Sequence, residues 1–291
     1  MASLDGRITV ITGAGRGLGR SHALLFAAEG AKVVVNDLGS DATGTGGDPS
    51  AAEAVVEEIR AAGGEAVANH DDVATWAGGE ALIRAAIDTF GGLDVVVNNA
   101  GILRDRALVN MTEEEWDSVT NVHLKGHFVP TRFAAAYWRD QTKAGTPRDA
   151  SVIHTSSTSG LLGNPGQTNY GTAKAGVAAF SQICAQELSR YGVRSNCIVP
   201  AARTRLTETA PGLSDIVAAP GDGGQFDLWD PAHCSPVVAY LAGADCPLNG
   251  RTMFVQGGTI RLMDGWQFGA TFEQEARWTI AELHDTLDRM A

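Results

Sequence analysis

The sequence predicts an α/β fold: one doubly wound domain over residues 1–291, a seven-stranded parallel sheet with helices on both faces. Three observations carry this. Short runs rich in Val and Ile alternate with helical patterns almost to the end of the chain. Those runs are continuously apolar, as strands buried on both faces of a parallel sheet require. No linker-like stretch and no repeat interrupts the alternation.

Residues 8–12 (Ile-Thr-Val-Ile-Thr) read as the first strand and run at once into glycines, followed by a helical pattern over 18–29 that Gly30 ends. Residues 32–36 give a second strand. Ser50 and Glu53 have the spacing of a capping box for a helix through Arg60, which Gly63 and Gly64 stop. Residues 65–68 form a third strand, and a helix closes over 82–90. Residues 93–97 form a fourth strand. Thr112 and Glu115 make a second capping box, opening one long helix that carries Trp116, His123 and Phe128. Residues 151–154 form strand five, 173–188 a helix, 195–199 strand six and 252–255 strand seven. The segment 202–230 is irregular and rich in Gly and Pro, and is expected to be a substrate lid.

Composition excludes several classes. A hydrophobic share of 44% with 19% charged residues is that of a globular protein with a sizeable core. The net charge of −12 argues against nucleic acid, because phosphate attraction needs a basic surface. No apolar stretch has membrane-spanning length, and the first residues lack the basic-then-apolar pattern of a signal peptide. Cys184, Cys197, Cys234 and Cys246 are scattered without a CxxC, which points to reduced thiols and a cytoplasmic protein. His123 and His127 lack the glutamate of an HExxH site, so no metal is expected. Glu113, Glu114 and Glu115 suit a helix start rather than a catalytic cluster, and GxSxG is absent.

The segment from Thr12 to Gly19 (TGAGRGLG) lies between the first strand and the first helix. Gly13, Gly17 and Gly19 allow the tight turn, and with Arg16 and Leu18 they place backbone N–H groups at a helix N-terminus, where a pyrophosphate is favoured. This is the context of a Rossmann-type dinucleotide site. Asp37 follows the second strand, where a carboxylate accepts from both ribose hydroxyls and repels a 2′-phosphate, favouring NAD over NADP. An Asp before Leu-Gly also suits a turn. Tyr170 and Lys174 are four apart and share a helix face. A phenol titrates near 10, and a neighbouring ammonium lowers that value. Ser157 follows strand five at its carboxyl end, where open parallel sheets bind ligands. Its hydroxyl suits the reacting oxygen while Tyr170 exchanges the proton and a nicotinamide the hydride.

As a set, Thr12-Gly13-x-x-x-Gly17-x-Gly19, Asn98-Asn99-Ala100-Gly101, Ser157 and Tyr170-x-x-x-Lys174 resemble the short-chain dehydrogenase/reductase family across nearly the whole chain. The resemblance implies that Asn99, Ala100 and Gly101 line the cofactor, that Asp72 and Val73 meet the adenine, and that Lys174 also holds the nicotinamide ribose. Pro200, Ala202 and Thr204 are the implied contacts to the nicotinamide amide, although Pro200-Ala201 stands where the family has Pro-Gly. The family's relay asparagine corresponds to His123, with Asn121 two residues earlier, so His123 is expected to take over the relay. Longer phrases, among them NNAGILRDR over 98–106 and Val122-His123-Leu124-Lys125-Gly126, are similar to the (3R)-hydroxyacyl-CoA dehydrogenase domain of peroxisomal type 2 multifunctional enzymes, also known as type 4 17β-hydroxysteroid dehydrogenases. That resemblance implies a 3-hydroxyacyl-CoA substrate; a steroid or another lipid-derived alcohol stays open, as does a non-catalytic NAD-binding protein. Arg104, Arg106, Arg203 and Arg205 flank the loops where CoA phosphates would lie. The resemblance also implies a homodimer or homotetramer through helices carrying Phe128, Phe133, Ala178 and Phe180.

Overall fold

The computed structural model describes residues 3–208, 215–220 and 225–288. Strands and helices alternate in chain order: β1 (Ile8–Thr12), α1 (Gly17–Ala28), β2 (Lys32–Asn36), α2 (Ser50–Ala61), β3 (Glu65–Asn69), α3 (Trp76–Phe90) and β4 (Val95–Asn98). There follow α4 (Glu113–Thr120), a π-helical turn (Asn121–Lys125), α5 (Gly126–Lys143), β5 (Ala150–Thr155), α6 (Thr158–Leu161) and α7 (Thr168–Leu188). β6 (Val193–Pro200), α8 (Arg205–Glu208), α9 (Ser235–Ala242), β7 (Thr252–Gln256), β8 (Thr259–Leu262) and α10 (Ile280–Leu287) complete the described residues.

The sheet order is β3-β2-β1-β4-β5-β6-β7-β8. β1 pairs in parallel with both β2 and β4, so the winding reverses between them and their carboxyl ends open a crevice. Alternate residues of each strand feed opposite faces. Ile11, Val33, Val35, Val95, Val97 and Ile153 pack with Phe26 under α1, α2 and α9. Val10, Val34, Val96 and Val152 pack with Leu82, Trp138 and Leu188 under α3, α5 and α7. Burial on both faces is why these strands read as unbroken apolar runs.

The sheet has eight strands rather than the expected seven. β8 runs antiparallel to β7, with Phe254 opposite Arg261 and Gln256 opposite Thr259. Gly257 turns the chain with φ +50°, the left-handed backbone a tight hairpin needs. All four residues of β8 are exposed, so no buried face marked them as a strand. One helix start and one helix interior also differ. Ser50 is inside α2 rather than its cap, and its backbone N–H donates to Asp48 Oδ1 at 3.0 Å. The Thr112–Glu115 capping box does form, but the long helix it opens is broken by the π turn at Asn121–Lys125. α10, with its own capping box of Thr279 and Glu282, was not anticipated.

Candidate active site

A cleft of about 1030 Å³ lies along the carboxyl ends of the strands. At one end the glycine loop packs against the segment after β4. Thr12 Oγ1 accepts from the N–H groups of Asn99 (2.9 Å) and Ala100 (3.0 Å), and Asn99 Nδ2 donates to the Thr12 and Gly13 carbonyls at 3.1 Å. A Cβ on Gly13 would stand 2.8 Å from Ala100 Cα, and one on Gly19 would stand 2.1 Å from Gly13 O. Side chains there would fill the cradle, so the loop keeps its backbone open to an anion. Asp37 ends next to this loop. Its Oδ2 accepts from Gly15 N–H at 2.8 Å and its Oδ1 from Gly39 N–H at 2.6 Å. Asp37 therefore makes the turn contact its sequence suited and still lines the cleft, each oxygen keeping a lone pair for a ribose hydroxyl.

Gly13, Arg16, Gly17, Leu18, Asp37, Asp72, Val73, Asn99, Ala100, Gly101, Pro200, Ala202 and Thr204 all line the same cleft. Gly19 does not; it is buried beneath the loop. Arg16 is half-exposed and reaches Asp48 at 3.9 Å. The donors and glycines fit a dinucleotide laid from the β1–α1 turn toward β5.

At the other end Ser157, Tyr170 and Lys174 meet. Ser157 caps α6, accepting from Ser159 N–H at 3.2 Å, and its hydroxyl is near enough to the Tyr170 phenol to influence its ionisation. Lys174 lies one turn along α7 from Tyr170, 5.7 Å from the ring centroid, and donates to Thr155 O at 2.6 Å. Burial pushes the Tyr170 phenol up to about 12, the Ser157 hydroxyl pulls it down, and the Asp105 carboxylate pushes it further up. Burial also holds Lys174 down, to about 7. The lowering of Tyr170 expected from Lys174 does not arise in this geometry, and desolvation prevails.

His123 is carried inward by the π turn, which rotates the helix register by inserting one residue per turn. It is buried, its ring edge-on to Tyr170 at 5.1 Å between centroids. Nε2 lies 2.8 Å from Ile102 O, to which the Nε2–H tautomer donates, and 3.2 Å from Ile102 N, whose N–H donates to Nε2 in the other tautomer. Nδ1 is buried and without a partner among the described residues. Burial, then the Lys174 charge, keep the imidazole neutral. A Cβ on Gly101 would stand 2.4 Å from His123 Cε1, so this contact requires the glycine. Asn121 is exposed on the turn. His127 and His154 are also buried, stacked at 5.7 Å. No group of three metal-ligating side chains occurs among the described residues.

The four arginines considered for CoA phosphates are engaged in place. Arg104 pairs with Glu114 at 2.8 Å, Arg106 with Glu115 at 2.6 Å, and Arg203 with Asp227 at 2.5 Å. Arg205 donates to Ser40 O at 3.3 Å. Residues to which the sequence assigned no role also line the cleft: Asp105, Gln167, and Ser40, Asp41, Ala42 and Gly44 of the loop after β2. Of the expected lid 202–230, Ala202, Thr204, Arg205, Thr207, Val217 and Trp229 line the cleft, while 209–214 and 221–224 lie outside the described residues.

Residues 7–212 match the family model described as short chain dehydrogenase. The chain belongs to the short-chain dehydrogenase family. It is 48% identical over 284 residues to the peroxisomal multifunctional enzyme type 2 of Drosophila melanogaster, covering 98% of this chain but only 43% of that enzyme. It is 43% identical to the hydroxyacyl-CoA dehydrogenase ChsB1 of Mycobacterium tuberculosis, covering 98% of this chain and 88% of the other. A crystal structure of a short chain dehydrogenase from Mycobacterium avium superposes with a TM-score of 0.87 at 47% identity, over 99% of this chain and 95% of that one. This short-chain dehydrogenase has no helix among the described residues long and apolar enough to cross a membrane.

Proposed function

We propose that this protein is an NAD-dependent dehydrogenase that interconverts a secondary alcohol and a ketone, with a 3-hydroxyacyl-CoA as substrate. The observation that carries the reading is the meeting of Ser157, Tyr170 and Lys174 in the same cleft as the glycine loop and Asp37. Bound NAD supplies the hydride acceptor. Asp37 takes the adenosine ribose, and its charge disfavours a 2′-phosphate; Asn99, Ala100 and Gly101 wall the cofactor, and Asp72 and Val73 take the adenine. Pro200, Ala202 and Thr204 face the nicotinamide amide, and Lys174 holds its ribose.

Ser157 donates to the reacting oxygen and fixes it beside the Tyr170 hydroxyl. Tyr170 accepts the alcohol proton during oxidation and returns it during reduction. For that step the phenol must ionise far below about 12. Contact of Lys174 with a ribose, in place of Thr155 O, keeps an ammonium near the ring and favours the phenolate. His123 steadies the Ile102 backbone at the cleft wall and offers Nδ1 as the first acceptor of a relay.

The acyl-CoA class is supported by similarity to a hydroxyacyl-CoA dehydrogenase and by apolar residues in the cleft, Leu103, Leu162, Val217 and Trp229. Residues 1–291 act as one cofactor-binding domain, with 202–230 as the substrate lid. The half-exposed Phe128 and Phe180, in edge contact at 6.3 Å, support pairing of α5 and α7 in a homodimer or homotetramer. Four unpaired, buried cysteines support a reducing compartment, the cytoplasm. The test is a turnover panel of NAD and NADP against 3R- and 3S-hydroxyacyl-CoAs and 17β-hydroxysteroids. NAD-linked turnover of one hydroxyacyl-CoA enantiomer is expected; a preference for NADP or for the steroid would contradict the proposal.

A further inference from the structure

Asp105 stands between two arginines and pairs with neither. Arg104 donates to Glu114 and to Thr43 O, and Arg106 donates twice to Glu115, so α4 draws both cations away from the carboxylate they flank. Asp105 Oδ2 instead accepts from Gln167 Nε2 at 2.7 Å. Gln167 is itself oriented by Asn164, whose Nδ2 donates to Gln167 Oε1 at 2.8 Å. Asp105 Oδ1 is buried and has no partner among the described residues. The loop that carries Asp105 is sewn to the start of α7: Arg106 N–H donates to Gly166 O at 2.8 Å, and Asn169 Nδ2 donates to Arg104 O at 2.9 Å. Three residues beyond Gln167 is Tyr170, and both Asp105 and Tyr170 line the cleft. A half-compensated carboxylate is therefore held at the start of the helix that carries Tyr170.

We propose that Asp105 is a positioning residue of this dehydrogenase, acting on Tyr170 through the field of its unpaired carboxylate. The charged groups packed around the phenol are otherwise neutralised or engaged. Lys174 lies 5.7 Å from the ring centroid and is bonded to Thr155 O. His123, on the π turn, is neutral, as are His127 and His154 behind it. Cys197 on β6 faces Lys174 as an un-ionised thiol, and Ser157 contributes only a neutral hydroxyl. The arginine–glutamate pairs on α4 are each neutral as a unit. A like charge disfavours the phenolate, which agrees with the upward push that Asp105 exerts on Tyr170. Asp105 thus keeps Tyr170 protonated to higher pH: it favours proton donation to a ketone and delays proton acceptance from an alcohol. Burial raises the Asp105 carboxyl itself, so the field is switched off on acidification sooner than for a surface aspartate.

The inference rests on the proposed role of Tyr170 only for its kinetic consequence, and the test separates the two. Tyr170 ionisation is read directly by stopped-flow pH jumps, as the phenolate absorbance difference between each protein and its Tyr170→Phe counterpart, which cancels the other three tyrosines. Asp105→Asn keeps the shape and the bond from Gln167 while removing the charge. It is expected to move Tyr170 ionisation to lower pH by about half a unit or more. The rising limb of kcat for alcohol oxidation should move in the same direction, with NAD affinity unchanged. Asp105→Ser provides the same test should the amide variant fold poorly. A merely structural role would lower thermal stability and leave both pH profiles in place. No shift of the phenol, or a shift to higher pH, overturns the inference. A shifted phenol in a protein whose Tyr170→Phe variant stays fully active would instead overturn the proposed function and leave the coupling standing.

Discussion

Asp37 holds two backbone N–H groups, those of Gly15 and Gly39, and so serves the loop as well as the cleft. Replacing it with Ala leaves two partly buried donors without an acceptor. Asp37→Ala is therefore expected to lower stability by about 1–3 kcal/mol and to narrow the preference for NAD over NADP. Denaturant titration and the ratio of the two kcat/KM values check the two effects; an unchanged ratio would remove the argument for NAD from this residue. Asp37, Tyr170, Lys174 and Ser157 were legible in the sequence because their spacing from a strand or along a helix is local. Asp105 and Gln167 were not, since only the pairing of loops some sixty residues apart joins them. The engagement of Arg104 and Arg106 with α4 was hidden for the same reason.

Elements buried on both faces announce themselves, and β1, β2 and β4 read directly from their Val and Ile runs. β8 did not, because its ladder to β7 rather than apolar burial holds it. The π turn was equally silent, because its residues keep a helical pattern. The β7–β8 hairpin packs through Gly257 on the segment before Trp229, where a Cβ would stand 2.8 Å from Leu228 Cδ1 and 3.0 Å from Phe226 Cε1. Those residues precede Trp229, which lines the cleft. Gly257→Val, strained at φ +50° and crowded, is expected to cost about 1–3 kcal/mol. It should raise KM for the alcohol several-fold while leaving NAD affinity alone. Equal losses in both affinities would show that the hairpin does not act through the substrate end.

For the whole molecule, acid sensitivity follows from four buried histidines. His22, His123, His127 and His154 are all held below their ordinary value by burial, His22 and His154 to about 3. The folded state excludes their protons, whereas the unfolded chain binds them below about 6.5. Stability is therefore full above that pH and falls as pH drops through it toward the folded values. Each histidine costs about 1.4 kcal/mol per pH unit in that window. Urea midpoints measured from pH 7.5 to 5 should fall steeply. His22→Asn, outside the cleft and facing Ser235, should flatten the slope by about one proton. A stability independent of pH over this range would contradict the burial of neutral imidazoles.

The most direct test of the central claim is kcat of Tyr170→Phe, with NAD affinity measured on the same protein. The substitution removes one oxygen and keeps the ring against His123. Turnover is expected to fall by about 10²–10⁴-fold or more, with NAD still bound. Full activity with Phe at this position would contradict the assignment of proton transfer to Tyr170.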